Sequence, residues 1–250
     1  MPEPGNMAAA PASPAASAPA PGKLRRWLWA IRANSRLAFL LQLATRVLTS
    51  GLNLFWIRLL VGAMGKPLNG LYLAFQSVFS LGGLGDLGMG GAVGIRAGQY
   101  LGKEKENDPE LQRFLASARA VFLFLTIAVV GLMLLFAHWI PHWLNFPSVP
   151  EAGSLTKVFA VGAAIVGGVL LFSYISNVNY ACGNVGWPVL PDFLLLQASL
   201  LCHWLLARQG QPLWMQYLPY LVSAGIKLLL MWIYVRASHP SLSRLLPLRI

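Results

Sequence analysis

The chain has 250 residues, of which 56% are hydrophobic and 11% charged, and 19 Lys and Arg against 8 Asp and Glu give a net charge of +11. A soluble domain carries about 45–50% apolar and about 25% charged residues, so this composition excludes an ordinary soluble globule, and its hydrophobicity excludes a disordered chain. The basic excess does not make a nucleic-acid binder either, because such proteins display Lys and Arg on a polar surface that this chain lacks.

Residues 1–22 are rich in Ala, Pro and Ser. They have nothing to bury and read as a disordered cytosolic tail. Residues 23–36 carry Lys23, Arg25, Arg26, Arg32 and Arg36 with Trp27 and Trp29 interleaved. That pattern predicts a basic segment lying on anionic membrane lipid, its indoles at headgroup depth.

Six apolar segments follow, at 37–63, 69–97, 113–138, 155–181, 189–207 and 214–235. Each is near the roughly 20 residues that cross a bilayer as a helix. The expected fold is an all-α membrane protein with a six-helix transmembrane lobe over 37–236, followed by a basic cytosolic tail over 237–250. With the N-terminus in the cytosol, the inside holds 13 basic residues and the outside three, Lys66, Lys157 and Arg208. This positive-inside bias puts both termini in the cytosol. Cys182 and Cys202 lie in apolar segments and read as small core residues.

Charges within spans are expensive, about 2.5–3.5 kcal/mol each on the insertion scale, so they are functional candidates. Four stand out: Arg46, Arg58, Asp86 and Lys227. In the first span Gln42, Arg46, Thr49 and Asn53 recur at i, i+4, i+7 and i+11, one polar stripe on an apolar helix. Gln216, Tyr220, Ser223 and Lys227 repeat the spacing in the sixth. Arg46 lies ten residues after Arg36 and Lys227 nine before Arg236, so both sit about 14–15 Å from the basic anchors. Asp86, ten residues before Arg96, falls in the same layer. The expectation is a cationic cavity in which Asp86 pairs with Arg46 or Lys227 and one cation is left over. An ion pair that only fixes helix packing is the other reading. Arg58, rotated about 120° from Arg46, is expected to reach the outer headgroups.

Residues 82–94 are glycine-rich. Gly83-Leu-Gly85-Asp-Leu-Gly88 matches a dinucleotide fingerprint by letter, but no strand precedes it. Gly90, Gly94 and Gly98 predict a close helix contact, and the glycines around Asp86 loosen the helix there. His203, near the outer end of the fifth span, reads as a hydrogen-bonded packing residue, with proton coupling as the alternative. No nucleophile elbow, metal motif or phosphate loop is present, so neither covalent catalysis nor a cofactor is expected.

The order of features resembles the N-terminal half of oligosaccharide flippases of the multidrug/oligosaccharidyl-lipid/polysaccharide exporter superfamily. The likeness rests on Arg46-Val-Leu-Thr-Ser-Gly-Leu-Asn-Leu-Phe, Gly70-Leu-Tyr, Gly85-Asp-Leu-Gly-Met-Gly-Gly-Ala, Tyr100-Leu-Gly-Lys and Leu144-Asn-Phe-Pro. It covers residues 37–182. It implies a two-lobed fold around a cavity that opens to alternate faces of the bacterial cytoplasmic (inner) membrane. It implies a polyprenyl-pyrophosphate-linked oligosaccharide as the anionic substrate, bound by Arg46 and Lys227. Asp86 would tune these cations, and Asn53, Gln42 and Gln216 would bond sugar or phosphate oxygens. Six spans make one lobe, so a second six-helix lobe, a C-terminal half or another copy, is the expected partner. A drug/cation antiporter of the same superfamily and a non-transporting scaffold are the alternatives.

Overall fold

The computed structural model describes residues 35–82, 88–101, 108–139, 154–182 and 189–238, and every regular element among them is helical. The expected tail 1–22, nearly all of the basic segment 23–36, Asp86 and the end of the chain from 239 lie outside the described residues.

Helix α1, Ser35–Gly82, has 48 residues. Straight, it would be about 72 Å long, more than twice the ~30 Å hydrocarbon core of a bilayer. It is broken at Gly65, with φ 75° and ψ 164°, a conformation that a side chain would not accept. Pro67 follows in the first turn of the second arm, where its missing N–H costs nothing.

The two arms run in opposite directions along one neighbour, α4 (Leu155–Ala181). On the first arm, Thr45 and Arg46 share a recess with Tyr180, near the end of α4. Leu60 joins Phe159, near its start. On the second arm the order inverts. Phe75 packs on Phe159 with ring centroids 5.0 Å apart, Phe79 reaches Gly162, and Ser80 borders the same pocket as Val169. The chain therefore turns back at Gly65.

Helix α2, Met89–Leu101, is only 13 residues long, about 20 Å. The single second span expected over 69–97 is thus two helical pieces, with Gly88 at φ 77° at the start of the later one. The glycine-rich sequence weakens helix propensity there. Of the three glycines expected to make a close face, Gly94 approaches Asn177, whereas a Cβ on Gly98 would meet nothing.

Helix α3, Pro109–Phe136, begins four residues before the expected span. Asp108 caps it, its carboxylate accepting from Glu110 N–H at 2.8 Å, and Pro109 takes the first position. At this end of the bundle Arg96 lies 3.6 Å from Glu110, an exposed pair of little energetic weight. Helix α4 starts at a Ser154 cap, which accepts from Lys157 N–H. Helix α5 is Val189–Arg208. The sixth expected span, 214–235, is a single turn, α6 (Leu213–Gln216), and then α7 (Leu218–Ser238), separated at Tyr217.

Helix α4 is the central helix. Half of its apolar stretch is buried, against 6–17% for the others, and its buried residues lie on all sides, as expected for a core helix. Small residues permit this. A Cβ on Gly162 would fall inside the Phe79 ring, one on Gly167 would sit 2.8 Å from Val130, and one on Gly168 would be 3.1 Å from Ala224. The second arm of α1, α3 and α7 thus all approach α4 over glycine. Tyr174 donates to the Leu115 carbonyl at 3.1 Å and Asn179 reaches the Met231 sulfur at 3.4 Å, tying α3 and α7 to the same helix.

Among the described residues five helices are long and apolar enough to cross a membrane: α1, α3, α4, α5 and the run Leu213–Arg236. Large apolar side chains point outward, among them Leu54 at 73%, Phe124 at 70% and Ile127 at 70% exposure. Such a surface suits lipid rather than water. By helix length and composition the chain is a multi-pass membrane protein.

Candidate functional site

The polar stripe of the first arm opens onto a recess of about 450 Å³ between α1, α4 and α5. Gln42, Thr45, Arg46, Thr49 and Ser50 line it from α1, Phe172 and Tyr180 from α4, and Val189, Asp192, Phe193 and Leu196 from α5. Some hydroxyls there are spent locally. Thr45 Oγ1 donates to the carbonyls of Leu41 and Gln42 at 2.8 and 3.0 Å, and Ser50 Oγ donates to the Arg46 carbonyl at 3.0 Å.

Lys227 forms an ion pair with Asp192 across the seam between α5 and α7, with the lysine side chain 22% exposed and the aspartate 51%. Asp192 lies in the first turn of α5, where the positive end of the helix dipole favours a carboxylate. Arg46 makes no ion pair with a carboxylate among the described residues. Arg46 and Asp192 line the recess, Lys227 engages Asp192 from α7, and among the described residues Arg46 is the cation that no carboxylate meets. Such an arrangement attracts an anion.

The six residues expected to form the site divide as follows. Gln42 and Arg46 share the recess, and Lys227 joins through Asp192. Asn53 is exposed and does not line it, because α1 has moved past the recess by that turn. Gln216 is buried at the far end of the bundle, its amide donating to the Gln211 carbonyl at 2.6 Å. A short interruption at Tyr217 separates Gln216 from Tyr220, Ser223 and Lys227. Tyr220 points to Tyr72, with the hydroxyls 3.0 Å apart. Asp86 lies outside the described residues, and the described partner of Lys227 is Asp192. The sequence reading passes over Asp192. The available signal was an acid three residues into an apolar span, directly after Pro191.

His203 is not the hydrogen-bonded packing residue expected. It is buried, and neither ring nitrogen is hydrogen-bonded among the described residues. Among the described residues no three His, Cys, Asp or Glu side chains come together as a metal site. Comparison of the chain with protein-family models, with curated proteins and with solved structures finds no match.

Proposed function

We propose that this chain is one lobe of a membrane exporter that carries a polyprenyl-pyrophosphate-linked oligosaccharide across the bacterial cytoplasmic membrane for surface polysaccharide synthesis. One observation carries the reading: Arg46 lines a polar recess among apolar helices and has no carboxylate partner among the described residues. A guanidinium within a span is costly. An anion entering the recess repays that cost, and pyrophosphate matches the planar donor fork of arginine.

The mechanism is alternating access without covalent chemistry. The head group enters from the cytosolic side and meets Arg46, with Gln42 and Thr49 beside it. Asp192 holds Lys227 until the phosphates compete for it. The polyprenyl tail stays in lipid. A negative-inside potential favours outward movement of the anion by about 2.3 kcal/mol per charge per 100 mV. The reversal at Gly65 supports six passages, with both termini in the cytosol, and a second lobe or second copy completes the cavity.

The test is the double variant Arg46→Ala/Lys227→Ala in the organism that encodes the chain, with surface polysaccharide as the readout. Normal export at normal protein level would sink the assignment. A cation exporter is the second reading, supported by the half-exposed Asp192 carboxylate in the same recess. Asp192→Asn separates the two: it abolishes cation export but leaves anion export in place.

A further inference from the structure

The half of the bundle away from Arg46 holds polar groups that the transport site does not use. His203 is 0% exposed and neither of its ring nitrogens has a hydrogen-bond partner among the described residues. A neutral imidazole carries one donor and one acceptor, so both needs are unmet by the protein. Three tyrosine rings surround it edge-on, with centroids at 4.5 Å for Tyr72, 5.7 Å for Tyr220 and 6.4 Å for Tyr217. The Tyr72 and Tyr220 hydroxyls share one hydrogen bond of 3.0 Å, which leaves one proton of that pair over. Tyr217 donates to the Tyr72 carbonyl at 3.0 Å.

The unmet needs extend beyond the histidine. Asn69 Oδ1, one turn before Tyr72, and Gln216 Oε1, beside Tyr217, are buried without a partner among the described residues, as is Gln197 Nε2. A pocket of about 180 Å³ opens next to Tyr217 and Tyr220, with Gln76 and Ser80 on its wall. Water takes about 30 Å³ per molecule in the liquid, so the pocket has room for several beside Tyr217 and Tyr220, the two rings that stand between it and His203. Orphaned polar groups at membrane depth require partners. The orphans here mix donors with acceptors. A metal ion would serve the acceptors alone and leave the Gln197 amide and the imidazole N–H unpaired. Water serves both.

We propose that His203 is the proton-binding residue of an internal hydrated pocket, with water as its direct ligand, in the half of the bundle opposite Arg46. The titratable groups that face it are Tyr72 from the second arm of α1, Tyr217 from the α6–α7 turn and Tyr220 from α7. On α5 itself Arg208 lies five residues on, its guanidinium 5.1 Å from the Trp204 ring, and Asp192 lies eleven residues back, engaged with Lys227. Lys157 of α4 stands 5.4 Å over the Trp214 ring. No carboxylate among the described residues joins this cluster. A proton arriving at His203 is held by water, so it adds a whole charge where no charged side chain among the described residues touches the imidazole. The inference stands independently of the anion site.

The test uses the full chain in phosphatidylcholine/phosphatidylglycerol nanodiscs with nitrogen-15 histidine. The His203 signal is the one lost in His203→Gln. Magnetisation transfer from water and the ring shifts are followed between about pH 3 and pH 9, a range wide enough for a buried histidine. The expected result is transfer from water, reversible titration of both ring nitrogens, and a displaced midpoint in Tyr220→Phe. Titration of the other histidines alone, with no water transfer to His203, overturns the proposal in favour of a dry packing residue. Water transfer without titration overturns the proton assignment. Thermal unfolding of His203→Leu gives an independent readout: the hydrated pocket predicts a lower midpoint, and a raised or unchanged one counts against it.

Discussion

Lys227 and Asp192, 35 positions apart in sequence, meet as an ion pair across the α5–α7 seam, and this contact leaves Arg46 as the recess cation without a described carboxylate. Each of the three charges has a separate consequence.

Asp192→Asn removes the only described partner of Lys227. The aspartate is half exposed, so solvent softens the effect, and the expected loss of stability is on the order of 1 kcal/mol. Chemical unfolding of the single variants Asp192→Asn and Lys227→Gln and of the double variant measures the coupling. Strictly additive effects would show that the pair contributes nothing.

Arg46→Ala is expected to leave the ligand-free protein as stable as before or more stable, because it removes an intramembrane charge with no described carboxylate partner. The same change is expected to weaken binding of a soluble pyrophosphate probe by roughly ten- to a hundredfold, the weight of one or two charge-assisted hydrogen bonds. Arg46→Lys is expected to recover part of it. A large loss of stability in Arg46→Ala, measured by thermal unfolding in detergent, would assign the residue to packing instead.

Gly162→Ala places a methyl group where the Phe79 ring now lies. Overpacking of this kind costs about 1–3 kcal/mol. Phe79→Leu in the same chain is expected to return part of that cost, since a smaller side chain makes room. If the two changes do not couple, the ring contact is not what limits the site.

Gly65→Ala forces a side chain into backbone space that glycine alone occupies readily, at about 1–3 kcal/mol. The turn itself has a direct measurement. Ser50 and Ser80 are both exposed and would be about 45 Å apart on a straight helix. Spin labels at these positions are expected to report less than about 30 Å, the thickness of the hydrocarbon core, because the second arm returns along α4. A distance near the straight-helix value would exclude the reversal.

Much of the architecture was legible along the chain. Apolar runs bounded by Pro, Gly and capping residues located α4 and α5 almost to the residue, because a spanning helix must satisfy its own backbone and needs a fixed length of apolar sequence to do so. The polar stripe of α1 was legible for the same reason. Helical periodicity brings Gln42, Arg46 and Thr49 to one face, and the recess is built on that face. The members of the second stripe meet separate partners, Gln216 the Gln211 carbonyl, Tyr220 the Tyr72 hydroxyl and Lys227 the Asp192 carboxylate, and periodicity has no record of such partners.

The sequence by itself determined that the chain is helical and built for lipid, where its charged residues fall along each helix, and that Arg46 shares a face with Gln42. Only the tertiary structure decided which charges meet. Lys227 finds Asp192 where α7 passes the first turn of α5, and Gly168 of α4 lets α7 approach closely at Ala224. It also decided that His203 is enclosed by three tyrosines with neither nitrogen bonded among the described residues. The reason is the same in both cases: periodicity reports the face on which a side chain lies, whereas its partner depends on the rotation and approach of neighbouring helices, which packing alone determines.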